Sequence, residues 1–430
     1  MKQRGRHRRR RRGQALRAFL AGTALALTAA ATMISASQAT VAGDPGALKP
    51  LTSSAETARL RLTENLLPQG DLDRLAGEMG RPVGVTAVLA GADHTLRTAA
   101  DCTSAEKRAL PVEPAATRAY CWNTADTAGW QPGAVTTSGD ADDDGRWGAN
   151  RVILSGWTAG GGAAADRGLA RVAFVDAGDL NHLSYTWALL AVPVDGGRDY
   201  RGLTSHVSGM VWYEDKLLVT ADDGDRAALY VYDMNRVQRA TVDAEAIGRV
   251  AGGWSAHGYQ YVLPAIGSYR LTGGVGAPHP GSISLDRSTT PDSLVASEWT
   301  LAGGDRRARL WRYSFSTAPD RSGLLATGAA GHADADEAYE TKTSEVRGVL
   351  SYRSHWYVSR AAGTQDGPGG LWRQDTDGAR ATRCGSEGTR RCWSPQTESL
   401  SYWQETGEVW SQSARVLFAL PLVSIDRSLD

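Results

Sequence analysis

The feature that most constrains this chain is a strand–hairpin–strand unit that recurs along it. One copy is SGMVWYEDKLLVTADD followed by ALYVYDM, and another is GSISLDRSTTPDSLVASEWT followed by RLWRYSF. RGVLSYRSHWYVSRAAG with GGLWRQD, and ESLSYWQETGEVWSQSA with VLFALPL, repeat the same order. Residues 134–176 hold a degenerate copy in AVTTS, RVILSGWT and ARVAFVD. Apolar and polar residues alternate within the runs, and Gly, Asp and Ser cluster between them, as in short antiparallel strands joined by tight turns. Two copies continue into an apolar fourth run, Thr186–Val194 and Tyr259–Tyr269. One such meander buries too little by itself, so copies must pack side by side, and a ring of them leaves few exposed edges. The spacing predicts an all-β chain, a β-propeller of five four-stranded blades. Six blades is the second count, and a β-sandwich with chance similarity among its hairpins is the alternative.

The last unit lacks a fourth run after Pro421, whereas PVGVTAVLA (Pro82–Ala90) is an unassigned apolar run near the front. That run is predicted to complete the last blade and close the ring, which removes edges that would otherwise aggregate. Ahead of it, residues 40–82 read as a partly helical arm. Ser53 and Glu56 have capping-box spacing before TARLRLTENLL, and DLDRLAGEMG reads as a second helix closed by Gly80. The propeller domain is then 83–430.

Residues 1–39 carry nine basic residues and no acidic one. They continue into an apolar run from Ala18 to Ile34 and end in Ser35-Ala36-Ser37-Gln38-Ala39. This is the pattern of a secretory signal cleaved after Ala39, with Ala42 as the second site. The run is short for a bilayer span of roughly 20 residues, so no stable membrane span is expected after cleavage, although an uncleaved anchor is the competing reading. Arg11-Arg12 leaves the general and twin-arginine export routes both open. The whole chain has 47 basic and 47 acidic residues; without the nine of the leader, 38 basic face 47 acidic, a net charge of −9. A moderately acidic mature chain is a poor partner for nucleic acid, whose binding depends on neutralising phosphates. A secreted monomer is the expectation.

In an exported chain four cysteines suggest disulfides, and the local pairs Cys102–Cys121 and Cys384–Cys392 are favoured among the three possible pairings. A zinc site is the rival, without CxxC spacing or a nearby His to support it.

From about Ala119 onward the chain resembles a family of uncharacterised secreted, propeller-like proteins of G+C-rich Gram-positive bacteria. The resemblance lies in Ala119-Tyr120-Cys121-Trp122, Gly209-Met210-Val211-Trp212-Tyr213, Tyr259-Gln260-Tyr261-Val262-Leu263-Pro264 and Glu398-Ser399-Leu400-Ser401-Tyr402-Trp403. It implies a propeller and export, and it carries no catalytic residues.

Candidate sites are few. Asp140, Asp142 and Asp144, followed by Gly145, have the DxDxDG opening of a calcium loop, but Gly148 and Arg151 stand where the later ligands belong. Calcium is therefore weighed against a solvated acidic turn. His332, Asp334, Asp336 and Glu337 could ligate a metal from one strand face, or form a polar loop. Asp222-Asp223-Gly224-Asp225 reads as a turn. Asp176, Asp222, Glu298 and Glu398 are strand-end acids of the kind that paired-carboxylate glycosidases use, but no spacing singles out two of them. No GxSxG elbow is present. His206, just before Gly209-Met210, is placed at the start of an innermost strand and, with Trp212, is the predicted binding pair. Trp212, Trp299, Trp311, Trp356, Trp372, Trp403 and Trp410 recur at equivalent positions. Most of them are expected to pack between sheets, while an exposed one could stack on a sugar ring. The expected function is extracellular binding of a carbohydrate or cell-envelope component. Cleavage of a glycan by channel carboxylates is the alternative, and a purely structural role comes third.

Overall fold

The computed structural model describes residues 44–429 except 162–166, 224–225, 273–276, 301–306 and 362–366. The leader and the start of the arm lie outside the described residues, as do Gly224 and Asp225 of the acidic turn. The chain divides into two units, Met1–Pro45 and Gly46–Asp430, and the strands and helices described below lie in the second.

The repeats fold as antiparallel meanders. The first sheet comprises Trp130–Thr137, Val152–Ala159, Ala170–Asp176 and Ser184–Val194. The second is Met210–Tyr213, Lys216–Asp223, Arg226–Asp233 and Tyr261–Leu271. Next come Pro280–Asp286, Ser293–Glu298, Ala308–Ser314 and Glu337–Thr341, then Val346–Tyr352, His355–Arg360, Gly370–Gln374 and Ala379–Ala381. Ser401–Trp403, Glu408–Ser413 and Val416–Pro421 form the last sheet. Strands sandwiched between two neighbouring sheets lose the simple alternation of a half-exposed strand: every residue of Val152–Ala159 is buried. The result is a propeller-like β fold.

Closure by an N-terminal strand holds, but a different segment supplies it. Arg118–Cys121 pairs with Val416–Ala419 as the fourth strand of the last sheet. Pro82–Ala90, expected there, contains instead the helix Gly84–Ala90. Its buried Val85, Val88 and Leu89 fall at i, i+3 and i+4 and pack on the first two sheets. A second correction concerns TARLRLTENLL. Only Ser54–Thr57 and Ala58–Leu60 are helical, and Ser53 makes no side-chain cap. Leu62–Leu66 is a strand on the edge of the second sheet, paired with Gly267–Leu271. An open strand edge outweighs the local helix preference. The helix Gln69–Met79 ends at Gly80 as expected, with Gly80 at φ +100°. Both cysteine pairs are disulfides, Cys102–Cys121 and Cys384–Cys392. No helix among the described residues is long and apolar enough to cross a membrane.

The first and second sheets are joined in a way the repeats do not announce. The long outer strands Ser184–Val194 and Tyr261–Leu271 pair in parallel over Ala188–Ala191 and Tyr261–Pro264. Around the axis the innermost strands touch their neighbours directly. Ala134 donates its N–H to Val207 O at 3.0 Å, and a Cβ on Gly133 would stand 2.0 Å from that same oxygen, so the approach requires glycine. Val135 N–H donates to Ser399 Oγ at 2.7 Å, joining the first sheet to the last. Val349 N–H reaches Ser282 Oγ at 3.4 Å.

Candidate functional site

In an antiparallel meander the start of the innermost strand and the end of the second strand lie at the same end. His206, His279 and Glu398 stand a few residues or fewer ahead of innermost strands, and Arg347 at the start of one. Asp222 and Trp299 stand at ends of second strands. Four different sheets thus deliver these side chains to one mouth of the axis, where they line a cavity of about 270 Å³.

The charged groups are paired across it. Glu398 accepts a hydrogen bond from Arg347 Nη1 at 3.0 Å, and its other oxygen lies 3.7 Å from His206 Nε2. Asp222 Oδ1 is 3.3 Å from His279 Nδ1. The floor is small and hydroxylic: Ser208 Oγ and Thr220 Oγ1 are 3.0 Å apart, and Thr220 Oγ1 also accepts the N–H of Gly209 at 2.7 Å.

Trp299 forms a wall. It is 40% exposed, whereas Trp212, Trp311, Trp356, Trp372, Trp403 and Trp410 are all buried. Its backbone N–H donates to the His279 backbone O at 3.2 Å. A methyl on Gly281 would come within 2.8 Å of Trp299 Cβ and 3.0 Å of its backbone nitrogen, so the absence of a side chain there lets the indole stand where it does.

The sequence candidates divide sharply. His206, Asp222 and Glu398 come together in the cavity. Glu298 does not: it is buried in a bidentate pair with Arg309, at 2.7 and 2.9 Å. Asp176 caps the following turn by accepting the N–H of Gly178. Trp212, expected to bind ligand beside His206, is instead fully buried, its ring 5.2 Å from that of Trp147. It sits mid-strand, where side chains face the neighbouring sheet. His279, Arg347 and Trp299 are the members the repeats do not single out. For Trp299 a signal exists, because it directly follows its strand, Ser293–Glu298, whereas Trp311, Trp356 and Trp410 stand inside theirs.

The aspartates of SGDADDDGRWG do not converge. Ser138–Ala141 is a buried helical turn. The Asp140 carboxylate points inward and accepts hydrogen bonds from Thr136 Oγ1 at 2.6 Å and Ser401 Oγ at 2.8 Å. Burial pushes its pKa up to about 6, against those hydrogen bonds and the charge of Arg287. Asp142 and Asp144 are exposed and cap local turns, Asp144 Oδ1 accepting the N–H of Arg146 at 2.8 Å. In the second acidic cluster each group has its own partner: His332 with Thr63, Asp334 with Arg61 and Glu337 with Arg312. Among the described residues no group of three or more His, Cys, Asp or Glu could hold a metal ion. With Asp140 already engaged, the melting temperature in excess calcium is expected to equal that in EDTA. A rise of several degrees in calcium, abolished by Asp142→Ala, would show that the loop rearranges to bind.

A second cavity, of about 500 Å³, lies against the first sheet and includes His94, Asp126, Arg171 and Tyr259. Its charged groups are engaged with one another and with neighbouring rings. Asp126 accepts from Tyr185 Oη at 2.6 Å and lies 3.0 Å from His94 Nδ1. Arg171 is held between the rings of Trp130 and Trp187, at 3.8 and 3.6 Å. This cluster fastens His94, ahead of the closing strand, and Asp126, just after it, to the first sheet.

No family model matches the chain, and no curated protein does. Among solved structures it is similar to a gluconolactonase of Xanthomonas campestris important in glucose secondary metabolic pathways. That likeness covers 80% of this chain and 97% of the other, at 14% identity and a TM-score of 0.28. It is also similar to Drosophila Plexin A in complex with Semaphorin 1b, at 9% identity, 88% of each chain and a TM-score of 0.21. Likenesses this distant carry no argument about function.

Proposed function

We propose that this is a secreted, five-bladed propeller that binds a carbohydrate, such as a cell-envelope glycan, at the mouth of its axis. Trp299 is the observation that carries the reading. An exposed indole in a cavity ringed by carboxylates, imidazoles and a guanidinium suits a ligand with an apolar ring face and a rim of hydroxyls. In this reading Trp299 stacks on the ring, and Asp222, Glu398, Arg347, His206 and His279 exchange hydrogen bonds with its hydroxyls. The basic, apolar leader supports export, and two disulfides are in keeping with an oxidising compartment. Five meanders, each supplying one innermost strand, support the blade count.

Calorimetric titration with a sugar panel tests the reading. Trp299→Ala is expected to weaken binding by roughly tenfold or more, about 1.4 kcal/mol, and Glu398→Gln by a similar factor, with melting temperatures unchanged. Binding that survives both substitutions would place the ligand elsewhere. Glycan cleavage is the second reading because Asp222 and Glu398 line the same cavity, and paired carboxylates are the machinery of glycoside hydrolysis. Release of reducing ends by the wild type and not by Glu398→Gln would favour it over binding alone.

A further inference from the structure

We infer that the cavity takes the terminal residue of a glycan end-on and excludes the interior of a chain. The inference rests on the carbohydrate reading above, and three observations carry it.

The first is size. About 270 Å³ falls just below the roughly 300–1,000 Å³ of pockets that enclose drug-sized ligands, which leaves room for one ring. The second is the floor. Around Ser208 and Thr220 neighbouring sheets are in direct contact at their inner edges, through Ala134 and Val207, Val135 and Ser399, and Val349 and Ser282. Leu350 and Leu400 share one apolar cluster across the next junction. At the opposite end the Asp140 carboxylate ties Thr136 to Ser401. On this reading the contacts close the floor of the cavity, and whatever enters does so by an end.

The third is the number of platforms. Among the described residues the exposed large apolar side chains are Val112, Trp299 and Val423, and only Trp299 lines the cavity. Binding the interior of a chain requires several rings to be gripped in succession along an open groove. One indole over a closed floor grips one ring, and sugars beyond the first would extend into solvent and add little affinity.

The test uses the full mature chain and calorimetry with glucose, galactose, mannose and N-acetylglucosamine as methyl glycosides, each beside its linear tetrasaccharide. The expected result is that one monosaccharide binds within about tenfold of its tetrasaccharide, and that Trp299→Ala weakens both by the same factor. A tetrasaccharide bound more than tenfold tighter than its monosaccharide would overturn end-on recognition while leaving the carbohydrate reading intact. No binding by any of these sugars to a folded protein would overturn the carbohydrate reading, and the inference with it.

Discussion

Replacing both Cys102 and Cys121 by Ser is expected to destabilise the fold more than replacing both Cys384 and Cys392. The chain-entropy account of cross-links gives about 3 kcal/mol for a loop closed over 19 residues and about 2.5 kcal/mol for one closed over 8. Position widens that gap. Cys121 is fully buried at the end of Arg118–Cys121, the strand that pairs with Val416–Ala419 and closes the ring. Releasing it loosens the seam between the two ends of the fold and bares the ladder of Val416–Pro421, an apolar edge that would template aggregation. The other disulfide staples a short loop that follows the fourth sheet, and neither of its cysteines stands in a sheet strand. Denaturant midpoints of the two double variants decide the matter, with light scattering as a second readout. The first variant should lose at least about 1 kcal/mol more than the second and scatter on heating. Equal losses would mean that ring closure depends on sheet pairing alone.

That seam also shows what the sequence can and cannot reveal. The meanders are legible because each carries its own alternation and its own turn residues, and two of the fourth strands, Thr186–Val194 and Tyr259–Tyr269, are visible as apolar runs. Nothing local marks which N-terminal segment returns to the last sheet. Arg118–Cys121 is four residues long, and its pairing partner lies roughly 300 positions away. Pro82–Ala90 is the more apolar run and reads as the better strand, although its Val85, Val88 and Leu89 already have helical spacing. At the site, strand-end position is more informative than residue type. His206, Asp222 and Glu398 all have strand-end positions in the sequence, and the fold brings them together. Trp212 stands out by its motif and belongs to the core. Trp299 aligns in the repeat with the packing tryptophans, and its placement one residue past its strand sets it apart. The convergence of side chains from four sheets is a property of the ring, which no local pattern encodes.

The first aspartate of the calcium-like motif carries the other large expectation, a pH-dependent one. Asp140 joins the far ends of the innermost strands. Its carboxylate holds Thr136 and Ser401, Thr136 Oγ1 also accepts the N–H of Trp212 at 3.0 Å, and Arg287 Nη2 donates to Asp140 O at 2.7 Å. Its pKa is raised from 3.8 to about 6, chiefly by burial, and the folded state therefore holds its proton more tightly than the unfolded chain does. Well below pH 4 the group is neutral in both states and its ionisation takes nothing from stability. Between about pH 4 and pH 6 the unfolded chain ionises first and stability falls. Above about pH 6 both states are ionised and the full penalty applies, on the order of 3 kcal/mol. Asp140→Asn removes the ionisation while retaining an oxygen that accepts hydrogen bonds. The unfolding free energy of the wild type relative to this variant should therefore drop by up to about 3 kcal/mol between pH 4 and pH 7. Every other titrating group contributes equally to both proteins and cancels in the difference. A difference that stays flat across that range would mean that Asp140 is solvated by water in the folded state, and that the ends of the innermost strands are less tightly sealed than these hydrogen bonds imply.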